Sequence, residues 1–226
     1  MPDSLRNRAL SEVIRRQLLL AALLFLTAGS LRYWEGWVYW ALVSLCVLFN
    51  ALYFLQHDPA LVRRRIKVGP AAERKKSQKV IQAVAGALVC AVIVLAGFDE
   101  RFRWSSVPTA MVWLSDVAVI AGMLIVFFTL KENSYAAGTV RVEQDQPVVA
   151  TGPYEWVRHP MYSGSILAFL ATPLALGSGW ALVPAILLCA AIVIRLIDEE
   201  RYLSGRLHGY KEYRREVPHR LVPYVW

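Results

Sequence analysis

Four apolar stretches, residues 17–31, 36–55, 80–98 and 108–130, leave this chain of 226 residues little choice but a bilayer. A helix needs ~20 mostly apolar residues to cross the hydrocarbon core, and three of the four runs reach or approach that length; the first is short. A further apolar stretch is broken at Gly177-Ser178-Gly179 into two arms, 161–176 and 180–194. Either arm alone could be a buried or re-entrant helix. Joined by so tight a turn, they read as one helical hairpin crossing most of the bilayer. With 57% hydrophobic residues the chain is too apolar for a soluble domain of its size. The expected fold is all-α and polytopic, with about five to six membrane helices including the C-terminal hairpin. Residues 1–130 would form the N-terminal membrane helices, and residues 131–226 a catalytic region of connector, hairpin and C-terminal amphipathic helix.

The net charge of +8 is unevenly spread. Loop 56–79 holds Arg63, Arg64, Arg65, Lys67, Arg74, Lys75, Lys76 and Lys79 against only Asp58 and Glu73, whereas loop 99–104 is balanced. Short loops rich in Lys and Arg stay cytoplasmic. That places both termini, the basic loop and segment 131–159 inside, and makes the basic loop an orientation signal aided by anionic lipid. The pattern belongs to a membrane surface, so no nucleic-acid partner is expected. The first apolar run lacks a small-residue cleavage site and the second follows almost at once, so a removed signal peptide is not expected. Trp34, Trp37, Tyr39 and Trp40 sit where amphipathic rings anchor a helix at the interface. Cys46, Cys90 and Cys189 lie in apolar helices without metal or redox spacing and read as small packing residues.

The informative chemistry flanks the hairpin. Arg158-His159-Pro160-Met161-Tyr162 opens it and Arg195-Leu-Ile-Asp-Glu199-Glu200 closes it. A hairpin returns its ends to one face, so these groups should be neighbours in a polar pocket at the membrane surface. Pro160 suits the first position of a helix, where its missing N–H is not needed. Arg195 and Glu199, four apart, share a helix face, while Glu200 is rotated toward the Leu196 stripe. Leu196, Leu203, Leu207 and Tyr210 keep helical spacing, so the second arm should continue along the membrane surface. Segment 131–149 is polar and irregular; its backbone groups require water or a cavity rather than lipid.

Each of these groups also has a plain structural reading. Arg158 and His159 could be a snorkelling cation and an interfacial ring, and Arg195 with Glu199 a simple ion pair. Ionisable groups at the end of an apolar helix are nonetheless functional candidates by default. Ser163 and Ser165 lack a paired base. His57, His159, His208 and His219 lack ligand spacing, which argues against a metal. A soluble dinucleotide fold is not indicated, because no Gly-x-Gly-x-x-Gly follows a strand. What remains is a cation, an imidazole, tyrosines and a carboxylate facing both water and lipid, which suits a charged cosubstrate meeting an amphiphile.

Gly152-Pro153-Tyr154, Arg158-His-Pro-Met-Tyr162, Arg195-x-x-x-Glu199-Glu200, Tyr210-x-x-Tyr213 and Arg220-Leu-Val-Pro223, taken in order, resemble the isoprenylcysteine carboxyl methyltransferase family from about Glu132 onward. The resemblance implies an integral membrane methyltransferase using S-adenosyl-L-methionine in a cytoplasmic pocket roofed by the hairpin and the C-terminal segment. It implies that Tyr154, His159, Pro160, Met161 and Tyr162 line the cofactor site. The backbone of Gln146, Pro147, Val148 and Val149 would hold the adenine end, and Glu199 the cofactor. Arg195 would face the carboxylate of an amphiphilic acceptor entering from the bilayer among the membrane lipids. Pro147 departs from the backbone-contact role because it has no N–H. Two enzymes with a similar C-terminal pattern are alternatives. A phospholipid N-methyltransferase would call for a carboxylate in place of Arg195, and an NADPH-dependent membrane reductase for more basic residues.

Overall fold

The structure, a computed structural model, describes residues 3–66, 69–73, 75–140, 142–143 and 145–226. Lys67 and Arg74 of the basic loop lie outside them. The described residues form helices α1 (Asp3–Ala28), α2 (Trp34–His57), α3 (Pro59–Ile66), α4 (Lys76–Phe102), α5 (Thr109–Glu132), α6 (Pro160–Ala175), α7 (Leu182–Arg206) and α8 (Tyr210–Glu216), with short 3₁₀ turns at Pro70–Ala72 and Gly152–Glu155 and no strand. α2, α4 and α5 are long and apolar enough to cross a membrane by themselves. The protein is an integral membrane protein, and the α6–α7 hairpin packs against these spans. The charged lead-in and the first apolar run form one continuous helix, α1.

Prolines set several boundaries: Pro59 begins α3, Pro108 precedes α5, and Pro160 occupies the first turn of α6, where a missing N–H costs nothing. α5 and α6 pack backbone to backbone. A Cβ on Gly122 would come within 2.5 Å of the Gly164 carbonyl oxygen, and one on Gly164 equally close to that of Gly122. Small residues that let helices approach in this way are a main source of association inside a bilayer. One apolar core joins Leu24, Ala96, Ala175 and Ala185. Another joins Leu188, Ile192 and Leu196 to Tyr162, where the site begins. Successive long helices alternate in direction. The α2–α4 loop, the 133–159 connector and the C-terminal segment therefore share one end of the bundle, here termed the connector face.

The hairpin turn does more than reverse the chain. Gly177 adopts φ +69°, where a Cβ would be strained, and Ser178 is buried with its hydroxyl donating to Asp99 Oδ2 at 2.5 Å. Ser105 donates to the same carboxylate through its hydroxyl (2.6 Å) and its backbone N–H (2.7 Å). The Trp180 N–H adds a longer contact of 3.4 Å.

Three expectations are corrected. Tyr39 is not an interface anchor: it is 7% exposed and shares a 3.0 Å hydrogen bond with Thr172 between α2 and α6. Trp34 and Trp37 remain at the rim, while Trp40 donates to the Gln17 carbonyl. Cys90 is exposed on α4 rather than packed, since its helix face is directed outward. The second arm does not run on through Tyr210. α7 ends at Arg206, and Gly209 at φ +79° starts a separate helix, α8. The described part of the basic loop also folds onto the connector, through Arg64 and Glu73.

Candidate active site

The entrance of α6 is fixed by the C-terminal segment. The Arg158 and His159 N–H groups donate to the carbonyls of His219 and Arg220 at 2.9 and 3.0 Å. That places the Arg158 guanidinium in the interior, where Nε meets Glu200 Oε1 at 2.6 Å and Nη1 the Val217 carbonyl at 2.7 Å. Arg220 Nε reaches the other Glu200 oxygen at 2.9 Å. Burial alone would raise the Glu200 carboxyl, but donors from His159, Arg220 and Arg158 outweigh it and hold the group well below the usual carboxylate range. Tyr210 Oη stands 3.4 Å from His159 Nε2. Tyr213 donates to the Tyr154 carbonyl at 2.8 Å, and the Tyr154 phenol accepts from Asn133 Nδ2 at 3.0 Å. Burial pushes that phenol up to about 12, so it stays protonated.

These contacts enclose a cavity at the connector face with about 780 Å³ of empty space, open to solvent on one side. Gln146, Pro147, Val148, Val149, Tyr154, His159, Pro160, Met161, Tyr162 and Glu199, all ten residues expected around a cofactor, line it. Tyr135 and Tyr210 add ring faces and Leu203 and Leu207 an apolar wall. Phenols, backbone groups, an imidazole and a carboxylate form a donor and acceptor set suited to a molecule that combines an aromatic base, hydroxyls and a cationic centre.

Arg195 borders a second cavity, between α4, α6 and α7 and reaching Arg65 of α3 and Val126 of α5, which shares Ala137, Thr139, Val140, Met161, Tyr162 and Glu199 with the first. Tyr162 and Glu199 are therefore the partition between the two spaces. The Tyr162 hydroxyl donates to Glu199 Oε2 and accepts from Arg195 Nε at 3.0 Å. The expected direct pairing of Arg195 with Glu199 is thus routed through the phenol. Arg195 Nη2 is taken by Glu73 Oε1 at 3.0 Å, and Nη1 is buried without a partner among the described residues. A two-pronged grip by Arg195, which its planar fork would allow in isolation, is not open to a ligand here, because Nε and Nη2 are already engaged.

Glu73 was not anticipated. It is 2% exposed, accepts from Gln82 Nε2 at 2.7 Å and from the Val140 N–H at 3.2 Å, and so ties the basic loop, α4, the connector and α7 into one knot. Its sequence signal is slight: an isolated acid among cations. Arg64 likewise fastens the connector through a forked ion pair with Glu143. Arg158 and Glu200, treated above as flanking charges, are the buried framework of the first cavity.

Residues 110–208 match the phospholipid methyltransferase family model. The chain is 42% identical over 74 residues to methanethiol S-methyltransferase of Mycobacterium tuberculosis, a match covering 30% of each protein. It is 26% identical over 108 residues to the cobalt-zinc-cadmium resistance protein CzcN of Cupriavidus metallidurans, covering 47% of this chain and 50% of that one. The matched regions thus span half or less of these curated relatives.

Proposed function

We propose that the chain, whose residues 110–208 match the phospholipid methyltransferase family model, is a membrane methyltransferase that transfers a methyl group from S-adenosyl-L-methionine to the carboxylate of an amphiphilic acceptor. The connector face is taken as cytoplasmic, in keeping with the basic residues gathered there. When bound, S-adenosylmethionine supplies a methyl group activated by a sulfonium. Tyr154, His159, Met161 and the backbone of Gln146, Val148 and Val149 would hold it, with Glu199 facing its cationic part. Pro147 would offer only its carbonyl.

The observation that carries the acceptor assignment is Arg195 Nη1, without a partner among the described residues, on a side chain that lines the second cavity. One carboxylate oxygen would complete it. A single-pronged hold leaves the other oxygen free as nucleophile, and the pairing of Glu73 with Nη2 tempers the positive charge that would otherwise quench it. A carboxylate is already ionised near neutral pH, so the residues need only position it and exclude water. Tyr162 and Glu199, touching both spaces, mark where donor and acceptor meet.

Two observations favour other acceptors of the same site. Glu199 gives the second cavity a carboxylate that could face an ammonium. The methanethiol S-methyltransferase of M. tuberculosis resembles part of this chain, which brings in a thiol. Purified protein in lipid nanodiscs with labelled S-adenosylmethionine decides among them, using three acceptors of one apolar tail ending in carboxylate, amine or thiol. Preferred transfer to the carboxylate is expected. Arg195→Ala should then lose acid methylation and keep donor binding, with Arg195→Lys restoring only part, since a point charge cannot hold Tyr162, Glu73 and substrate at once. Wild-type preference for the amine or the thiol overturns the carboxyl assignment.

A further inference from the structure

Arg65 ends α3 among basic neighbours but behaves unlike them. Arg63 is exposed and Arg64 is paired with Glu143. Arg65 turns inward, where its Nη1 donates to the Ala136 carbonyl at 2.9 Å and meets Met161 Sδ at 3.6 Å. Both partners are neutral. Among the described residues no carboxylate acts appreciably on Arg65; the groups that do are the Tyr154 and Tyr162 phenols and another cation, Arg16 of α1. Burial lowers the pKa of this guanidinium, against the opposing effect of the Tyr154 and Tyr162 phenols, and Arg16 adds to the lowering. A half-buried cation without a counter-charge is costly unless something supplies the anion.

The surrounding space indicates what that anion belongs to. Arg65 borders a cavity enclosed by α1, α2 and α3, whose polar wall includes Arg16 and Asn50. It also borders a cavity between α2, α5 and α6 that ends at the Tyr39–Thr172 hydrogen bond. The two adjoin at Val47, Asn50, Arg65 and Leu130, which line both, and are taken together as one bent channel. Its lower end is cationic: Glu12 stands at the rim, already engaged by Arg15 and Arg16. Its upper walls are Val43, Val119, Met123 and Val126. From Asn50 to Tyr39, α2 rises roughly 16 Å at 1.5 Å per residue. That is about the depth of one leaflet, half of a ~30 Å hydrocarbon core.

A cation at the head and an apolar channel one leaflet deep have the polarity of a lipid acid. We infer that this channel binds an anionic amphiphile, its acidic head on Arg65 and its hydrocarbon tail along α2 toward Tyr39. The tail's path lies on the α2 side of α5 and α6, and it adjoins the space assigned to methyl transfer at Arg65, Val126, Ser165 and Phe169, which line both. The inference concerns binding of the amphiphile alone, so its test is read without methyl donor and does not require that the bound acid be methylated. It also gives the basic loop a task that a topological signal would not require: inserting one arginine while its neighbours stay outside.

The test measures binding of radiolabelled oleate to the full chain in phosphatidylcholine nanodiscs without methyl donor, beside oleyl alcohol, which has the same tail and no charge. Wild type should bind oleate saturably and the alcohol much more weakly. Arg65→Ala should weaken oleate by roughly 10- to 100-fold, as for a lost hydrogen bond to a charged group, leaving the alcohol unchanged. Arg65→Lys should retain most of the affinity. Val47→Trp, which fills the bend, should weaken both ligands while S-adenosylmethionine still binds, showing that the protein is folded. Repeating the measurement in phosphatidylglycerol nanodiscs separates the sources. Displacement of oleate assigns the channel to an anionic phospholipid, and undiminished binding assigns it to a fatty-acid anion. Equal oleate binding by wild type and Arg65→Ala, or equal binding of acid and alcohol by wild type, overturns the proposal. So does a loss in Arg65→Ala confined to S-adenosylmethionine, which would make Arg65 a cofactor ligand.

Discussion

The α6–α7 hairpin is fastened at each end by a buried carboxylate, and the two acids keep different company. At the turn, Asp99 is satisfied by the Ser105 and Ser178 hydroxyls and by backbone N–H groups of Ser105 and Trp180. At the open end, Glu200 is gripped by Arg158 and Arg220, with Arg214 at 3.9 Å and His159 at 3.7 Å. Neutral donors hold a turn against the end of α4 and leave no positive charge behind. Cations around one acid do something else: they bind α6, α7 and the C-terminal segment together and leave a surplus of positive charge beside the cavity. The first is a clasp. The second is a framework for a site that must receive charged molecules.

The largest expected effect breaks that framework. Glu200→Ala leaves the Arg158 guanidinium buried and uncompensated, a situation that costs about 3–5 kcal/mol. The variant should unfold at much lower temperature in detergent and lose donor binding, measured by thermal melts and calorimetry. Adding Arg158→Met should recover part of the stability, because it removes the orphaned charge. A Glu200→Ala protein that melts and binds like wild type would erase the distinction between the two ends.

Asp99→Ala tests the other side. It orphans hydroxyls and N–H groups, whose loss of a buried partner costs about 1–3 kcal/mol, and no cation is left unpaired. Melting temperature should fall by less than for Glu200→Ala, while S-adenosylmethionine affinity stays unchanged because the turn is a helix length away from the cavity. A fall in donor affinity would mean that the clasp tunes the site.

How much of this contrast was legible beforehand follows from the range of each interaction. The apolar runs and the Gly177-Ser178-Gly179 turn announced the hairpin, since periodicity and hydropathy are local. The meeting of Arg158–Tyr162 with the Arg195–Glu200 segment followed from hairpin geometry, and the Tyr162 bonds to Arg195 and Glu199 show it. Helical phase separated Glu199 from Glu200, but could not reveal that Glu200 collects Arg220, which depends on the path of the C-terminal segment. Glu73 and Arg65 were hidden for a similar reason. Within a run of basic residues nothing local distinguishes the arginine that turns inward or the acid that reaches α7. Tyr39 was misjudged because a ring near a helix end has the same signature whether it anchors at the interface or donates across to Thr172.

A smaller effect is pH-dependent. The Glu200 carboxyl is held below its ordinary value of 4.5 because the hydrogen bonds from His159, Arg220 and Arg158 exceed the burial penalty. A depressed folded-state pKa contributes stability that is present above 4.5 and lost as pH falls through the depressed value. Wild type should therefore lose melting temperature progressively below about pH 4.5. Glu200→Gln, less stable throughout, should have a flatter profile over that window. Parallel profiles would show that another carboxylate governs acid unfolding.

The smallest effect concerns Asp116 of α5, which shares with Asp99 and Glu200 its burial but with neither its company. It is 3% exposed and both carboxylate oxygens lack a partner among the described residues. In a span the charge of such a group is expensive, and nothing around it offers the compensation that Ser178 gives Asp99 or Arg158 gives Glu200. Asp116→Asn keeps the shape and removes the charge. If burial without partners is a net cost here, the amide should stabilise the protein by about 1 kcal/mol, on the order of 2–4 °C in melting temperature for a chain of this size, and leave methyl transfer unchanged. A lower melting temperature would show that the carboxylate has a partner that only the membrane supplies. Loss of transfer at unchanged stability would place Asp116 on the acceptor's route, and the functional region would then extend well beyond the open end of the hairpin.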